Sequence, residues 1–217
     1  MEGDEAMTAL PDDGWLVEHP PPQRARLVPL PSNLDDYTVE DWLKLPVTGE
    51  RIELIDGSFV VSPMPGYDHA IAAKRLVRIL DDACPEDCEV VETGNLQVGE
   101  DGLIPDIVVG HAEAMLAGAV KLEAIDVFCV VEIVSPGRGS HRRDYDIKPP
   151  KYAASGIPVF MRVELLGDDT PRVEVFNLGR QGYELVAEAK AGDLLEIAEP
   201  FPVAFDPAVL AGRRRVS

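Results

Sequence analysis

The spacing of apolar residues changes several times along the chain, and each change marks a predicted element. Residues 51–61 are predicted to form two strands joined by Asp56-Gly57, and an Asp-Gly dipeptide between two strands is a strong signal for a β-hairpin. Apolar residues then recur every three or four positions across residues 68–82, which predicts an amphipathic helix. Continuous apolar runs at residues 104–109 and 125–134 are typical of strands buried inside a sheet.

The remaining segments complete a mixed pattern of helices and strands. Thr38 predicts the start of a short helix that ends before Pro46. Residues 140–155 are helical in pattern but contain Pro149-Pro150, so a helix either begins at these prolines or is kinked there. Further strands are predicted at residues 89–98, 159–165, 172–178 and 183–189. We therefore expect an α/β (α+β) fold, a mixed β-sheet flanked by helices with an N-terminal β-hairpin and a C-terminal antiparallel meander.

Composition predicts one domain with an extension at each end. Residues 1–34 contain six prolines and no regular apolar spacing, which indicates a disordered or loosely attached leader. Residues 206–217 end in three arginines and are expected to be a frayed tail. Residues 35–205 form the predicted domain, which is long enough to bury a core without disulfide or metal staples.

The charge of the chain restricts its partners. The 217 residues include 39 acidic and 20 basic side chains, which gives a net charge of −19 at pH 7. Non-specific coating of DNA is excluded, because such binding depends on Lys and Arg, although a local basic patch or a metal could still bind it. No apolar run approaches the ~20 residues of a membrane span, and the acidic N-terminus lacks the features of a secretory signal. We expect a cytoplasmic protein without membrane contact.

Cysteine usage agrees with that expectation. The cysteines are Cys84, Cys88 and Cys129, an odd number without the partners of a four-ligand zinc site. They are predicted to be reduced thiols.

Two acidic residues interrupt strands that are otherwise apolar. Asp106 follows Pro105 at the head of one strand, and Glu132 lies in the middle of the next. A buried carboxylate costs several kcal/mol unless it is paired or holds a cation. If the strands are neighbours, the two carboxylates and the Ile133 carbonyl would form an oxygen site that suits Mg²⁺ or Mn²⁺. The alternative is that each acid lies at a strand end and is solvated.

Several short motifs occur in a characteristic order. They are Arg51-Ile-Glu-Leu-Ile-Asp-Gly57, Ser62-Pro63 followed by His69, Pro105-Asp106, Val131-Glu132-Ile-Val-Ser135-Pro136, and Arg143-Asp144 leading to Lys148, Tyr152 and Gly156-Ile-Pro158. Together they resemble the Uma2 family of restriction endonucleases, a branch of the PD-(D/E)xK nuclease superfamily, from near Tyr37 to near Glu188. The resemblance implies a mixed sheet flanked by helices and a metal-dependent phosphodiesterase site.

The resemblance also implies roles for individual residues. Asp106 and Glu132 would bind the metal. The usual superfamily lysine would fall at Val134 and is absent, and Lys148 matches the lysine that replaces it in this family. Glu53 and His69 match further family positions, where Glu53 would hold the metal or a water, and His69 would contact a phosphate or transfer a proton.

Each of these roles has a structural alternative. Glu53 could simply pair with Arg51 on the hairpin, and His69 could cap its helix or face solvent. Lys148 precedes a proline, a position that disfavours helical geometry, and Lys151 is the substitute one turn further on.

The sequence therefore predicts a Mg²⁺-dependent endonuclease that acts on DNA and could form a homodimer. Candidate nucleic-acid contacts are Arg75, Arg78, Arg142 and Arg143. The alternative is an inactive or weakly active module of the nuclease fold that binds nucleic acid or a protein partner, which the missing strand lysine and the acidic charge suggest. A hydrolase site using Ser135 or Ser140 with His141 is disfavoured, since adjacent residues rarely face each other productively.

Overall fold

The computed structural model describes residues 36–46 and 49–211, and the predicted leader at residues 1–34 lies outside the described residues. The helices are α1 (Val39–Leu43), α2 (Tyr67–Ala83), α3 (Ala112–Leu116), α4 (Arg138–Arg142) and α5 (Lys148–Ala154). The strands are β1 (Arg51–Ile55), β2 (Ser58–Ser62), β3 (Cys88–Glu92), β4 (Leu96–Val98), β5 (Asp101–Leu103), β6 (Ile107–His111), β7 (Leu122–Glu123), β8 (Val127–Val134), β9 (Val159–Glu164), β10 (Arg172–Gly179), β11 (Gly182–Lys190), β12 (Leu195–Ile197) and β13 (Val203–Phe205).

The main sheet has six strands in the order β11-β10-β9-β8-β6-β3. Strands β8 and β9 are parallel and the other neighbours are antiparallel, so the predicted mixed sheet with a C-terminal antiparallel meander is confirmed. Strands β6 and β8 are adjacent, with Val108 opposite Val130. This adjacency is the condition on which the predicted carboxylate pair depends.

The predicted hairpin is present but belongs to a second sheet, of five strands in the order β2-β1-β5-β4-β7. Its two-residue loop consists of Asp56 and Gly57, which have φ angles of 49° and 70°. Positive φ at both positions is the geometry of a type I′ turn, whose twist matches that of the strands. Strand β1 pairs with β2 and β5, which brings Arg51 and Glu53 over the main sheet beside β8.

Alternation along β8 divides its side chains between two cores. The first core lies on the face covered by α2, and its members include Ala72, Leu76, Leu80, Val109, Cys129 and Val131. The second lies on the face covered by the hairpin sheet and α5, and its members include Leu103, Val108, Val130, Tyr152 and Phe160. Because side chains alternate along a strand, Glu132 shares the second face with Val130, and Asp106 shares it with Val108.

Some predicted boundaries were wrong. Residues 89–98 are not one strand but β3 and β4, which lie in different sheets because the chain turns at Thr93, where φ is 55°. The short elements α3 and β5 were not predicted. Residues 206–211 are not frayed: Pro207–Leu210 form a 3₁₀ turn with Leu210 buried, and only residues 212–217 of the predicted tail lie outside the described residues.

The helical segment around Pro149-Pro150 combines both predicted outcomes. Helix α5 begins at Lys148, so that the prolines occupy its first turn, directly after a turn of different hydrogen-bond register. The preceding residues Arg143–Ile147 form a π turn, in which the Lys148 N–H donates to the Arg143 carbonyl. The wider π turn lets the helix run on from α4 into α5.

Within the described ranges, no helix is both long and apolar enough to cross a membrane.

Candidate active site

Asp106 and Glu132 line one cavity at the edge of the main sheet, with a volume of about 120 Å³. Asp106 directly precedes β6, and its N–H donates to the Val131 carbonyl of β8 at 3.0 Å. This bond extends the β6–β8 pairing by one step and places the two carboxylates on the same face. The cavity is lined by Arg51, Glu53, Ser62, Pro63, Met64, Pro65, Gly66, His69, Asp106, Glu132, Ile133, Ser135, Pro136, Ser140, Arg143, Asp144 and Lys148.

The Asp106 carboxylate is buried and bonded at both oxygens. Its Oδ1 accepts from Arg51 Nη1 at 2.5 Å, and its Oδ2 lies 3.1 Å from His69 Nε2 and accepts from the Ile133 N–H at 2.7 Å. Burial alone would raise the pKa of Asp106, but the hydrogen bond with His69 and the charge of Arg51 outweigh it and hold the pKa below its ordinary value. Asp106 is therefore an anion at neutral pH.

Lys148 is the cation at the floor of the cavity. Its Nζ lies 2.9 Å from Glu53 Oε1 and 3.0 and 3.1 Å from the two Glu132 oxygens, and 4.0 Å from Asp144 Oδ1. Burial alone would lower the pKa of Lys148, but the charges of Glu132 and Glu53 outweigh it and raise the pKa. The ammonium therefore stays protonated although the side chain is 2% exposed.

Glu53 contacts the site rather than pairing with Arg51. Its Oε1 accepts from the Ile104 N–H at 2.9 Å as well as from Lys148, and its Oε2 is buried without a hydrogen-bond partner. Arg51 instead donates to Asp106 and to the Ile104 carbonyl, and lies 4.0 Å from Glu132. A buried carboxylate oxygen without a partner is costly, which makes Glu53 a candidate ligand for a polar group not present among the protein atoms.

His69 neither caps its helix through its side chain nor faces solvent, which were the alternatives to a role in the site. It lies in the first turn of α2 and is 8% exposed, so it does not face solvent. Its Nε2 bonds to Asp106, whereas its Nδ1 is buried without a partner.

Sequence reasoning gave no role to Asp144 and Tyr152, and treated Arg51 only as a partner for Glu53. The Tyr152 hydroxyl donates to Glu132 Oε1 at 2.5 Å, and Asp144 contributes a buried carboxylate. Asp144, Lys148 and Tyr152 are spaced four residues apart, which places them on one side of a helix. The four-residue spacing could have identified Asp144 and Tyr152 as neighbours of Lys148. Pro149-Pro150 made a continuous helix across these positions difficult to predict.

Negative charge exceeds positive charge at the cavity floor. Four carboxylates, from Glu53, Asp106, Glu132 and Asp144, meet the permanent cations of Arg51 and Lys148, while Arg143 lies at the rim and donates to Ser140 Oγ at 3.2 Å. Burial raises the pKa of Asp144 to about 6, and the charge of Asp106 adds to this effect. Burial also raises the pKa of Glu132, to about 8. With all four carboxylates ionised, their excess over Arg51 and Lys148 is two negative charges, which is the charge of one divalent cation. A metal ion bound at Glu132 would release the proton of that carboxyl group.

The residues present fit Mg²⁺, although not as a protein-only cage. In the part of the chain that the structure describes, no group of three or more His, Cys, Asp and Glu side chains is arranged to hold a metal ion. Mg²⁺ needs no such group, since it commonly uses one or two carboxylates and completes its shell with waters and substrate phosphate. Asp106 and Glu132 provide that pair. Ile133 contributes its N–H to Asp106, and its predicted role as a carbonyl ligand stays a prediction.

The alternative lysine lies outside the cavity. Lys151 Nζ is 2.6 Å from both Asp56 and Asp101, at the hairpin turn and the start of β5. Lys148, and not Lys151, contacts Glu132.

The predicted nucleic-acid contacts fall into two groups. Arg75 donates to the carbonyls of Val209 and Ala211, and exposed Arg78 pairs with Asp82 at 3.9 Å. Both arginines line a groove against the C-terminal segment, not the cavity. Arg143 lines the cavity itself, and Arg142 lines a groove beside it.

Comparison with known proteins agrees with this architecture. The solved structures include a similar protein from Anabaena variabilis, titled a putative nuclease belonging to DUF820, with 20% sequence identity and a TM-score of 0.63 over 80% of this chain and 96% of that one. At this identity the likeness shows the fold. No curated protein matches the chain. The model of the Uma2 family, described as "Putative restriction endonuclease", matches residues 39–211, and the chain therefore belongs to the Uma2 family.

Proposed function

We propose that the protein is a Mg²⁺-dependent nuclease that hydrolyses phosphodiester bonds in DNA. The observation that carries the proposal is the convergence of Asp106, Glu132 and Lys148 in one cavity. The family and the nuclease-like fold support a nuclease, and the excess of carboxylates over cations supports a divalent ion. That the substrate is DNA, and that two chains act together as a dimer, are further parts of the proposal.

Mg²⁺ held by Asp106 and Glu132 would supply a more acidic bound water and neutralise charge on the scissile phosphate. Lys148 would place a fixed ammonium beside that phosphate, where it stabilises the additional negative charge of the transition state. Because Glu53 and Glu132 already orient the ammonium, little reorganisation is needed when the charge develops.

His69 and Arg51 act on Asp106 from opposite sides. His69 Nε2 bonds to the carboxylate and orients it, and its Nδ1 is buried without a hydrogen-bond partner among the described residues. Arg51 fixes the other oxygen and provides a second positive charge beside Glu132. The segment Ser62–Gly66 also lines the cavity.

The test compares Asp106→Asn and Glu132→Gln with the parent protein. Calorimetric titration with MgCl₂ and MnCl₂ should show binding to the parent and none to either variant. Cleavage of supercoiled plasmid should fall by more than about 100-fold in both. Glu92→Gln, which alters an exposed carboxylate at the end of β3 in the same sheet, should leave both measurements unchanged. Unchanged metal binding in both site variants would refute the proposal.

A second candidate function is a nuclease-fold module without turnover. It is favoured by one observation: Lys148 and Arg51 already pair with the two carboxylates that would bind metal. A folded parent protein that neither binds Mg²⁺ or Mn²⁺ nor cleaves DNA would support this candidate over the nuclease.

A further inference from the structure

A groove adjoining the cavity carries an exposed aromatic stack. The groove has a volume of about 820 Å³ and is lined by Val134, Ser135, Pro136, Gly137, Arg138, His141, Arg142, Tyr145, Asp146, Glu164, Leu166, Asp168, Thr170 and Arg172. It shares Ser135 and Pro136 with the active-site cavity, so the two spaces adjoin at this loop. A polymer chain with one phosphate in the cavity would place its next nucleotides in the groove.

Three side chains form the stack. The rings of His141 and Tyr145 are 4.1 Å apart at their centroids and inclined by only 7°. The Arg162 guanidinium lies 3.6 Å from the Tyr145 centroid. Since one face of the Tyr145 ring is covered by His141, Arg162 must cover the other face.

Arg162 and Tyr145, the two inner members of the stack, are held in place by hydrogen bonds to glutamates of the sheet. Arg162 donates from Nε to Glu174 at 2.8 Å and is 2.7 Å from it through Nη2. The Tyr145 hydroxyl donates to Glu164 Oε1 at 2.5 Å. These bonds leave Tyr145 and Arg162 little freedom to rearrange.

The outer layer is open. His141 is exposed, and Tyr145 covers one face of its ring. Among the described residues no other ring or guanidinium is stacked on His141, so the second face is open to a fourth flat group. Arg138 and Arg142, also exposed, flank it on α4. Aromatic rings flanked by arginines are the usual elements of sites that stack nucleic-acid bases and contact the neighbouring phosphates.

We propose that His141 is a stacking platform for an unpaired nucleobase of DNA next to the cleaved phosphate. The proposal rests on the proposed nuclease function and narrows its substrate to single-stranded or locally opened DNA, because the faces of paired bases in a duplex are covered by their neighbours. Three acids, Asp146, Glu164 and Asp168, also line the groove, so stacking rather than phosphate charge supplies most of the affinity.

The test measures binding of a fluorescein-labelled single-stranded oligonucleotide to the full chain by fluorescence anisotropy, in EDTA so that no cleavage occurs. His141→Ala should weaken binding by about 5- to 150-fold, the range measured when a stacked aromatic is removed. His141→Phe keeps a flat ring and should retain the parent affinity. The slope of log K against log salt should be unchanged in His141→Ala but shallower in Arg142→Ala.

The proposal is overturned if His141→Ala binds as tightly as the parent, or if His141→Phe loses as much affinity as His141→Ala. Equal affinity for the matching duplex would also overturn it. Circular dichroism of both variants shows whether they fold, and His141→Trp gives an independent signal, since a stacked base should quench its fluorescence. Metal binding at Asp106 is measured separately by calorimetry, so failure of the platform leaves the nuclease proposal standing.

Discussion

Lys148 is a buried ammonium that faces three carboxylates, and its removal would leave their charges uncompensated. We expect Lys148→Met to lower the free energy of unfolding by about 3–5 kcal/mol, the cost of breaking a buried ion pair by deleting one partner. Urea denaturation followed by circular dichroism measures this loss. Lys44→Met is the matched control, because Lys44 lies 3.8 Å from Glu40 in an exposed ion pair, and it should cost about 1 kcal/mol or less. If both variants lost the same free energy of unfolding, Lys148 would not act as a buried ammonium that compensates buried carboxylates.

Asp144 predicts a pH dependence whose sign follows from its pKa. The pKa is about 6 in the folded protein against an ordinary value of 3.8, so the folded state holds this proton more tightly than the unfolded state. The stabilisation that this proton gives to the folded state is therefore fully present below about pH 4 and is lost as the pH rises through about 6. Above that pH, Asp144 causes no further change in the free energy of unfolding. Relative to the parent, Asp144→Asn should become more stable between about pH 4 and pH 7 in metal-free buffer. A difference in unfolding free energy that does not change with pH would contradict the raised pKa.

The metal carboxylates could be proposed from sequence because each interrupts an apolar strand, where an unpaired charge is costly. Their partners were harder to identify. Arg51 reaches Asp106 across 55 positions of sequence, and this contact depends on how the hairpin sheet lies over the main sheet. Nothing in the local pattern around Arg51 reports that arrangement.

At the scale of elements, sequence predicted best where a local rule decides the structure. The Asp-Gly dipeptide predicted the hairpin, helical periodicity predicted α2, and a continuous apolar run predicted β8. The sequence-based prediction failed where contacts between distant segments decide the structure. Residues 89–98 were predicted as one strand but form β3 and β4, because Val90 and Leu96 pack into different cores. The π turn before Pro149 was not predictable either, since it depends on a one-residue change of hydrogen-bond register.

Gly102 of β5 determines how α1 docks. A Cβ at this position would lie 2.2 Å from the Trp42 ring, which is buried against the strand and donates from Nε1 to the Ile52 carbonyl. We expect Gly102→Ala to displace the indole and lower the unfolding free energy by about 1–3 kcal/mol. Gly94→Ala serves as the control, since its nearest contact would be an ordinary 3.7 Å, and thermal denaturation compares the two. Equal melting temperatures would show that Trp42 does not pack closely on Gly102.

At the scale of the whole molecule, the chain has a net charge of −19, and its cavity is itself rich in carboxylates. Self-repulsion of this charge weakens the folded state, and salt relieves it by screening. Monovalent salt should therefore raise the melting temperature of the parent and of Asp106→Asn by similar amounts, because screening does not depend on one carboxylate.

Mg²⁺ should act differently from monovalent salt when ionic strength is held constant. A ligand that binds only the folded state stabilises it, by about 2.7 kcal/mol at one hundred times its dissociation constant. If the ion binds in the cavity, MgCl₂ should raise the melting temperature of the parent beyond the effect of salt, and should not do so in Asp106→Asn. Equal shifts in both proteins would mean that Mg²⁺ acts only on the diffuse negative surface. Differential scanning calorimetry measures these melting temperatures. The comparison distinguishes binding of Mg²⁺ in the cavity from a general effect of Mg²⁺ on the negative charge of the whole molecule.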